Sequence, residues 1–222
     1  MENIVLIGFG GHSKSVIDTI ERQNKYCIAG IIEKSKEAKK EFRDYAIIGT
    51  DEDLERIYAS GITKAFVTVG FLGKTDSRNK IYNKLKEIGF SMPVIADPTA
   101  IISKDAVIGE GTFIGKGAIV NAGASVGKMC IINTGAILEH EVNLGDFCHV
   151  AVGTILCGEV YVEEDTFLGA GTTVIQGIHI GRKCVVGAGT TIVKDIAEDI
   201  LAYGTTRKKL REEINSGCIY YR

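Results

Sequence analysis

The sequence has little of what would assign it to several common protein classes. It contains two prolines and no tryptophan in 222 residues, and its formal net charge is −2. A charge this small gives no broad basic field, so we expect no nucleic-acid partner. No apolar run approaches the roughly 20 residues that span a bilayer, so we expect no membrane partner either.

The N-terminus and the cysteines carry no targeting or metal signal. The first residues, MENIVLIGFGGHSK, lack a basic segment followed by a long apolar stretch and a small-residue cleavage site. No pair of cysteines forms C-x-x-C, and their spacing matches no zinc pattern. The six stand at Cys27, Cys130, Cys148, Cys157, Cys184 and Cys218. We therefore expect a cytoplasmic protein with reduced thiols and no metal site.

The sequence does contain a long internal repeat. From Ile101 to Ile196 it divides into sixteen consecutive hexads without an insertion, and the second position of every hexad is aliphatic. A helix would show a period near 3.6, and a half-buried strand a period of 2. A period of six predicts short strands joined by turns that return to the same interior position, which is a parallel β-helix.

The hexads resemble those of the left-handed β-helix, in which three hexads form one triangular coil of eighteen residues. Cys130 and Cys148 are then one coil apart, and Cys184 lies two coils further on. All three occupy the small sixth position, so we expect one interior column of small apolar side chains. A catalytic cysteine is the alternative. Cys157 lies off this column and has no basic neighbour to activate it.

A polar triplet interrupts the repeat without breaking its register. In the hexad 137–142, Leu138 and Val142 still fill the interior positions, so Glu139, His140 and Glu141 replace the turn residues and point outward. Such a triplet alone is often only a solvated surface.

A second histidine favours a functional site near this triplet. His149 opens a hexad nine residues after His140. The other histidine of the repeat, His179, has no partner nearby in the sequence, and we expect it to be a plain surface residue.

Residues 1–97 lack the hexads and predict a small Rossmann-like α/β domain. Strand candidates are 3–10, 27–32 and 64–70, and helix candidates are 12–23, 51–60 and 75–89. Strands that alternate with helices favour a parallel sheet. The predicted organisation is an α/β domain (1–97), a β-helix (98–204) and a tail with a short amphipathic helix (205–222).

The turn GFGGHS, residues 8–13, lies where the first strand meets the first helix. Backbone N–H groups and the helix dipole favour phosphate at such a junction. The dinucleotide fingerprint G-x-G-x-x-G would need glycine where Ser13 stands, so a nicotinamide-dependent oxidoreductase is a remote alternative. The alternative interpretation is that this glycine-rich turn has only a packing role.

The two segments GFGGHSKSV (8–16) and NTGAILEHEVNLGDFCHVAVG (133–153) together resemble the bacterial N-acetyltransferases of UDP-4-amino-sugars and their relatives, the sialic acid O-acetyltransferases. The resemblance implies acetyl-CoA as co-substrate, no metal, and a homotrimer with active sites at the subunit boundaries.

The resemblance also implies roles for particular residues. His140 resembles the general base, Glu141 the carboxylate that raises its basicity, and His149 the residue that contacts acetyl-CoA near the thioester carbonyl. The positions that resemble those lining the CoA groove are Gly158, Ala170 and Ala188. The positions that resemble nucleotide-sugar contacts are Gly10, Gly11, His12, Glu33 and Gly70. An imidazole near neutral pH suits removal of an amine proton, and a carboxylate beside it stabilises the imidazolium.

The chain departs from the family pattern in three places. The β-helix begins with Asp97 where the family often has histidine, which we interpret as a tolerated change in a connecting turn. The C-terminal segment has Thr206 where the family has proline, and the basic residues after it are expected at CoA phosphates; they are Arg207, Lys208 and Lys209. The segment 70–80 is long, and Arg78 within it faces either the nucleotide or the solvent.

The favoured function is an acetyl-CoA-dependent N-acetyltransferase that acts on a nucleotide-linked amino sugar in bacterial glycan biosynthesis. A sialic acid O-acetyltransferase is the alternative within the family, but free sialic acid lacks a nucleotide. A non-catalytic trimeric scaffold is the alternative from another class. The sequence leaves the sugar, the base and the position of the amine open.

Overall fold

The computed structural model describes residues 1–34, 42–71, 73 and 76–206. The predicted tail helix, and the predicted phosphate contacts Arg207, Lys208 and Lys209, lie outside these residues.

The N-terminal domain is a four-stranded parallel sheet with helices on both faces, as predicted. The strand order is β3-β2-β1-β4. The strands are β1 (Glu2–Ile7), β2 (Tyr26–Ile32), β3 (Ile47–Gly49) and β4 (Lys64–Val67). The helices are α1 (Gly11–Gln23), α2 (Leu54–Ala59), which follows a 3-10 turn (Asp51–Asp53), and α3 (Asp76–Ile88).

Alternate residues of β1 face opposite helical layers. Ile4 and Leu6 pack in one core with α1, whereas Val5 and Ile7 pack in another with α2 and α3. A strand covered on both faces has no polar side, which explains the unbroken apolar run in the sequence.

The rest of the described chain forms the predicted β-helix, whose two-residue strands build three parallel sheets. The covered face, which packs against the N-terminal domain, consists of β5 (Ile95–Ala96), β8 (Phe113–Ile114), β11 (Ile131–Ile132), β14 (His149–Val150), β17 (Phe167–Leu168), β20 (Val185–Val186) and β22 (Leu201–Ala202). The isoleucine face consists of β6 (Ile101–Ile102), β9 (Ile119–Val120), β12 (Ile137–Leu138), β15 (Ile155–Leu156), β18 (Thr173–Val174), β21 (Thr191–Ile192) and β23 (Thr205–Thr206). The third face consists of β7 (Val107–Ile108), β10 (Ser125–Val126), β13 (Asn143–Leu144), β16 (Tyr161–Val162) and β19 (His179–Ile180).

The coils have the predicted length of eighteen residues through most of the β-helix. Ile131, for example, pairs with Phe113 in the coil before it and with His149 in the coil after it. The last coil is shorter on the covered face, where Leu201 pairs with Val185, only sixteen residues earlier. The predicted hexads end at Ile196, where this shortening takes place.

The cysteine column has the structural role that its spacing predicts. Cys130, Cys148 and Cys184 have no exposed surface. Their thiols lie near backbone carbonyls, the Sγ of Cys130 at 3.1 Å from the oxygen of Gly145. Burial raises the pKa of Cys130 to about 12, so the thiol stays protonated and a nucleophilic role is excluded.

Asp97 lies in the connecting turn between β5 and β6, as expected, and it also makes contacts that the sequence did not predict. The residue is 2% exposed. Its carboxylate accepts hydrogen bonds from the backbone N–H and hydroxyl of Thr99 and from the hydroxyl of Thr19, and Arg22 lies 3.6 Å away. Burial opposes ionisation, but these partners outweigh it and lower the pKa of Asp97. Asp97 therefore links α1 to the first coil.

Candidate active site

A cavity of about 680 Å³ opens at the carboxyl end of the N-terminal sheet. We call it the N-terminal cavity; its lining residues are Gly8, Phe9, Gly10, Gly11, His12, Glu33, Lys34, Thr68, Val69, Gly70, Phe71 and His149. The volume is within the usual range for small-molecule sites. All five residues predicted as nucleotide-sugar contacts line it, together with one residue of the β-helix, His149. Their roles in binding stay predictions.

The N-terminus of α1 forms one side of this cavity. Gly10 is its N-cap and makes no side-chain capping bond, and the first turn contains no acidic residue. The first N–H groups of a helix lack partners within the helix, and they favour a phosphate. The carboxylate of Glu33 lies opposite, at the end of β2, where the N–H of Phe9 donates to its Oε2 at 3.0 Å.

Two glycines of the turn leave the cavity open. A Cβ added to Gly10 or Gly11 would meet no atom of the described residues within 4 Å, so packing against those residues does not require glycine at either position. Gly8 is different, because it has a φ of +103° and a Cβ there would lie 2.7 Å from Cγ2 of Val69. Gly8 is therefore a structural glycine, whereas Gly10 and Gly11 leave space for a ligand.

If the N-terminal cavity binds the nucleotide-linked substrate that the sequence predicts, Gly10→Val should raise the KM for that substrate by about tenfold or more, because the isopropyl group occupies cavity space. Its φ of −89° is open to any L-residue, so the melting temperature should stay close to that of the wild type. The matched substitution Gly8→Val should lower the melting temperature instead. Initial rates and thermal unfolding of both variants test this contrast, which would be wrong if Gly10→Val unfolded the protein or left KM unchanged.

His149 forms the β-helix side of the cavity, and it is 8% exposed. Its Nδ1 lies 2.9 Å from the carbonyl oxygen of Phe71, and its ring packs against Phe71 and Phe167 at centroid distances of 5.5 and 5.2 Å. Burial, with a contribution from Arg78, lowers the pKa of His149 to about 4 despite its bond to Phe71. The imidazole is therefore neutral near pH 7.

His12 lies close to this group and is also neutral. Its ring meets Phe113 edge to face at a centroid distance of 5.0 Å, and its Nε2 has no hydrogen-bond partner among the described residues. Burial, together with Arg78 and His149, lowers the pKa of His12 to about 3.

Arg78 does not face the solvent, so that expectation was wrong, and it is not among the residues that line the N-terminal cavity. It is 1% exposed, and its guanidinium donates to the carbonyl of Val69 in the N-terminal domain and to that of Met129 in the β-helix, the latter at 2.7 Å. Burial lowers its pKa to about 10, so it remains a cation. Arg78 links the two domains behind the cavity. Its position depends on two distant carbonyls, which no sequence spacing reveals.

His140 and Glu141 point outward, as the register predicts. Their side chains are 59% and 66% exposed, and Nδ1 of His140 lies 3.7 Å from Oε2 of Glu141. That distance allows electrostatic attraction but is too long for a hydrogen bond. The ring lies over Gly158 of the next coil, where a Cβ would be 2.5 Å from Nε2. Gly158 therefore keeps the space beside the imidazole free.

The predicted site residues of the β-helix lie on two different edges. His140, Glu141 and Gly158 follow strands of the isoleucine face and form its edge with the third face. Ala170 and Ala188 follow strands of the covered face, form its edge with the isoleucine face, and are exposed. The first edge lies opposite the covered face, so one chain does not bring His140 together with His149 or with the N-terminal cavity.

His179 is not the partnerless residue that we expected from the sequence. Its Nε2 lies 3.1 Å from Oε1 of Glu163, and its ring contacts Tyr161 at 5.1 Å. Glu163 is sixteen residues earlier in the chain, so the eighteen-residue coil brings the two side chains together.

Two features are absent from the described part of the chain. No helix there combines the length and the apolar composition needed to cross a membrane. The same residues contain no group of three or more histidine, cysteine or acidic side chains placed to hold a metal ion.

Comparison with known proteins relates each part of the chain to a known family. Residues 3–85 match the model of the PglD N-terminal domain, and residues 106–139 and 159–194 match the hexapeptide repeat of succinyl-transferase. A search of curated proteins gives no match.

Several solved structures are similar to this chain over most of its length. PerB from Caulobacter crescentus, in complex with CoA and GDP-perosamine, is 33% identical, with 92% of this chain and 95% of that chain covered and a TM-score of 0.84. A histidine-to-alanine variant of GDP-perosamine N-acetyltransferase from the same organism, with the same ligands, is 31% identical over 92% of this chain and 94% of that chain, with a TM-score of 0.85. The acetyltransferase domain of PglB from Neisseria gonorrhoeae, in complex with acetyl coenzyme A, is 28% identical over 88% of this chain and 93% of that chain, with a TM-score of 0.79.

Proposed function

Because this chain belongs to the nucleotide-sugar N-acetyltransferases of the hexapeptide-repeat superfamily, we propose that it transfers the acetyl group of acetyl-CoA to the amine of a nucleotide-linked amino sugar. The observation that carries this proposal is the N-terminal cavity, where a helix N-terminus without side-chain caps and two glycines face open space. A diphosphate fits that chemistry, and the carboxylate of Glu33 suits hydroxyl groups of the nucleotide.

In the proposed reaction His140 is the general base. The sugar amine attacks the thioester carbonyl carbon, a C–N bond forms, and the amine gives a proton to Nε2 of His140, the ring nitrogen farther from Glu141. The C–S bond then breaks, the acetyl group stays on nitrogen, and the CoA thiolate takes the proton back from the His140 imidazolium and leaves as the thiol. The carboxylate of Glu141 beside Nδ1 stabilises the imidazolium between these steps.

Acetyl-CoA fits the edge that carries Ala170 and Ala188. These two small, exposed residues stand one coil apart at equivalent turn positions, so a slender pantetheine chain finds no bulky side chain at either of them. This observation supports the assignment of Ala170 and Ala188 to the binding of acetyl-CoA.

We propose that the catalytic unit is a homotrimer. The outward residues of the isoleucine face include Ile119, Ile137 and Ile155, which are partly exposed, and Ile101, which is 64% exposed. A row of apolar side chains on one face favours association. If this face turns toward a threefold axis, the edge of one subunit that carries His140 meets the edge of the next that carries Ala170 and Ala188.

That arrangement assembles the residues that one chain keeps apart. The edge with Ala170 and Ala188 borders the covered face, on which the N-terminal cavity opens beside His149. His140 of one subunit would therefore act on a sugar held in the cavity of its neighbour. The five described cysteines are free thiols, which suits a reducing compartment, so the proposal places the enzyme in the cytoplasm.

A thiol-release assay tests the reaction and the substrate class together. The protein is supplied with acetyl-CoA and a panel of UDP-, GDP- and dTDP-linked amino sugars, with free sialic acid as a separate acceptor. We expect turnover of a nucleotide-linked amine, with an amide product in the mass spectrum. Turnover of sialic acid alone would replace the proposal by O-acetylation. CoA binding without turnover of any acceptor would contradict the proposed reaction. Absence of both CoA binding and turnover would favour the non-catalytic scaffold.

A further inference from the structure

His149 interrupts a column of apolar side chains. The first residues of the strands on the covered face point outward, and all except one are aliphatic or aromatic. In chain order they are Ile95, Phe113, Ile131, His149, Phe167, Val185 and Leu201. A phenylalanine at this position would match its neighbours two coils before and one coil after. An imidazole there has two polar atoms that must be desolvated, so a polar role is required to explain it.

The hydrogen bond to Phe71 fixes which ring nitrogen carries the hydrogen. A carbonyl oxygen only accepts, so Nδ1 of His149, 2.9 Å from the oxygen of Phe71, is the donor. In a neutral imidazole the other nitrogen then has a lone pair and no hydrogen. This Nε2 has no partner among the described residues and is shielded from solvent, on a side chain that is 8% exposed and lines the N-terminal cavity.

We propose that Nε2 of His149 accepts a hydrogen bond from the amino sugar, so that His149 selects the acceptor. This inference rests on the proposed function. The donor is a ring hydroxyl or the amine itself. The assignment differs from a contact with the thioester carbonyl, because that oxygen also accepts and would need an N–H. The low pKa of His149 agrees with the neutral form, since a protonated Nε2 would be a donor.

The test compares two substitutions at this position. His149→Phe keeps a ring between Phe71 and Phe167 but removes both nitrogens, and His149→Gln restores an amide oxygen near the place of Nε2. We expect His149→Phe to lower kcat/KM for the amino sugar about tenfold, with the KM for acetyl-CoA and the melting temperature little changed. His149→Gln should recover part of that loss.

Acceptors that each lack one ring hydroxyl identify the donor. If a hydroxyl donates to His149, removing that hydroxyl should lower kcat/KM of the wild type about tenfold. The same deoxy analogue should lower kcat/KM of His149→Phe no further, because the hydrogen bond is already absent in that variant. If the amine is the donor, each deoxy analogue should lower kcat/KM by the same factor in the wild type and in His149→Phe. His149→Phe should still lower kcat/KM for the complete sugar.

An effect of His149→Phe on the KM for acetyl-CoA alone would overturn the inference and place His149 at the thioester. An unchanged kcat/KM for both substrates would reduce His149 to a packing residue. The wild type, measured first in the same assay, separates these results from failure of the proposed function, because that failure would appear as absence of turnover with any nucleotide-linked amine.

Discussion

We expect His140→Ala to lower kcat about a thousandfold, which is within the range that general bases contribute. The side chain is 59% exposed and its ring lies on a glycine, so its loss leaves no cavity in the core. Its neighbours in the hexad, Leu138 and Val142, remain fully buried. The KM for both substrates and the melting temperature should therefore change little. Initial rates with a nucleotide-linked amino sugar, alongside thermal unfolding, measure the two effects separately.

The chain offers a matched control for this substitution. His179 is also an exposed histidine beside a carboxylate, that of Glu163 at 3.1 Å, but it lies on the third face, outside the proposed site. His179→Ala should keep the wild-type rate.

Glu141→Gln should lower kcat only about threefold to tenfold, because the carboxylate of Glu141 is 3.7 Å from Nδ1 of His140 and makes no hydrogen bond to it. A wild-type rate in His140→Ala, or equal losses in both histidine variants, would refute the general-base assignment.

The parts that the sequence predicts well are those where one physical requirement repeats along the chain. The interior of each coil must hold an aliphatic side chain, so the hexads predicted the strands, the coil length and the outward direction of His140. The turn at Gly10 and Gly11 was predictable because a helix begins directly after a strand there. These features depend on residues that are close in sequence or related by a fixed period.

The parts that were missed depend on contacts between distant segments. Arg78 is buried because it bonds to carbonyls of both domains, and Asp97 because its partners come from α1 and from the following turn. Every residue has a backbone carbonyl, so the sequence does not indicate which carbonyl accepts a side-chain hydrogen bond. The pair of His179 and Glu163 could have been found, since sixteen residues is close to one coil. The apolar column around His149 could also have been found, by aligning the first positions of every third hexad.

The division of the site between two edges leads to the second large effect. His140→Ala lacks the base, and Gly10→Val has an obstructed cavity, so each variant alone should be poorly active at low sugar concentration. When the two are co-expressed with different tags and purified as mixed trimers, some boundaries pair an intact His140 with an intact cavity of the neighbouring subunit. Each mixed trimer, whichever chain is present twice, has one boundary of this kind among its three, so about one third of the wild-type rate should return.

The recovery distinguishes a site shared between subunits from a site within one chain, because the two arrangements predict different rates for the mixed trimers. If His140 acted on the cavity of its own chain, no mixed trimer would contain an intact pair, and the rate would be the mean of the two parental rates. The recovery depends on the proposed contacts between isoleucine faces, so Ile137→Arg placed in both chains should abolish it by separating the subunits, which size-exclusion chromatography would show. Ile137 is partly exposed on that face and lies outside the interior, so the arginine can reach solvent in the monomer. Recovery that survived this substitution would mean that the subunits associate through another face, and the threefold arrangement proposed for the site would be wrong.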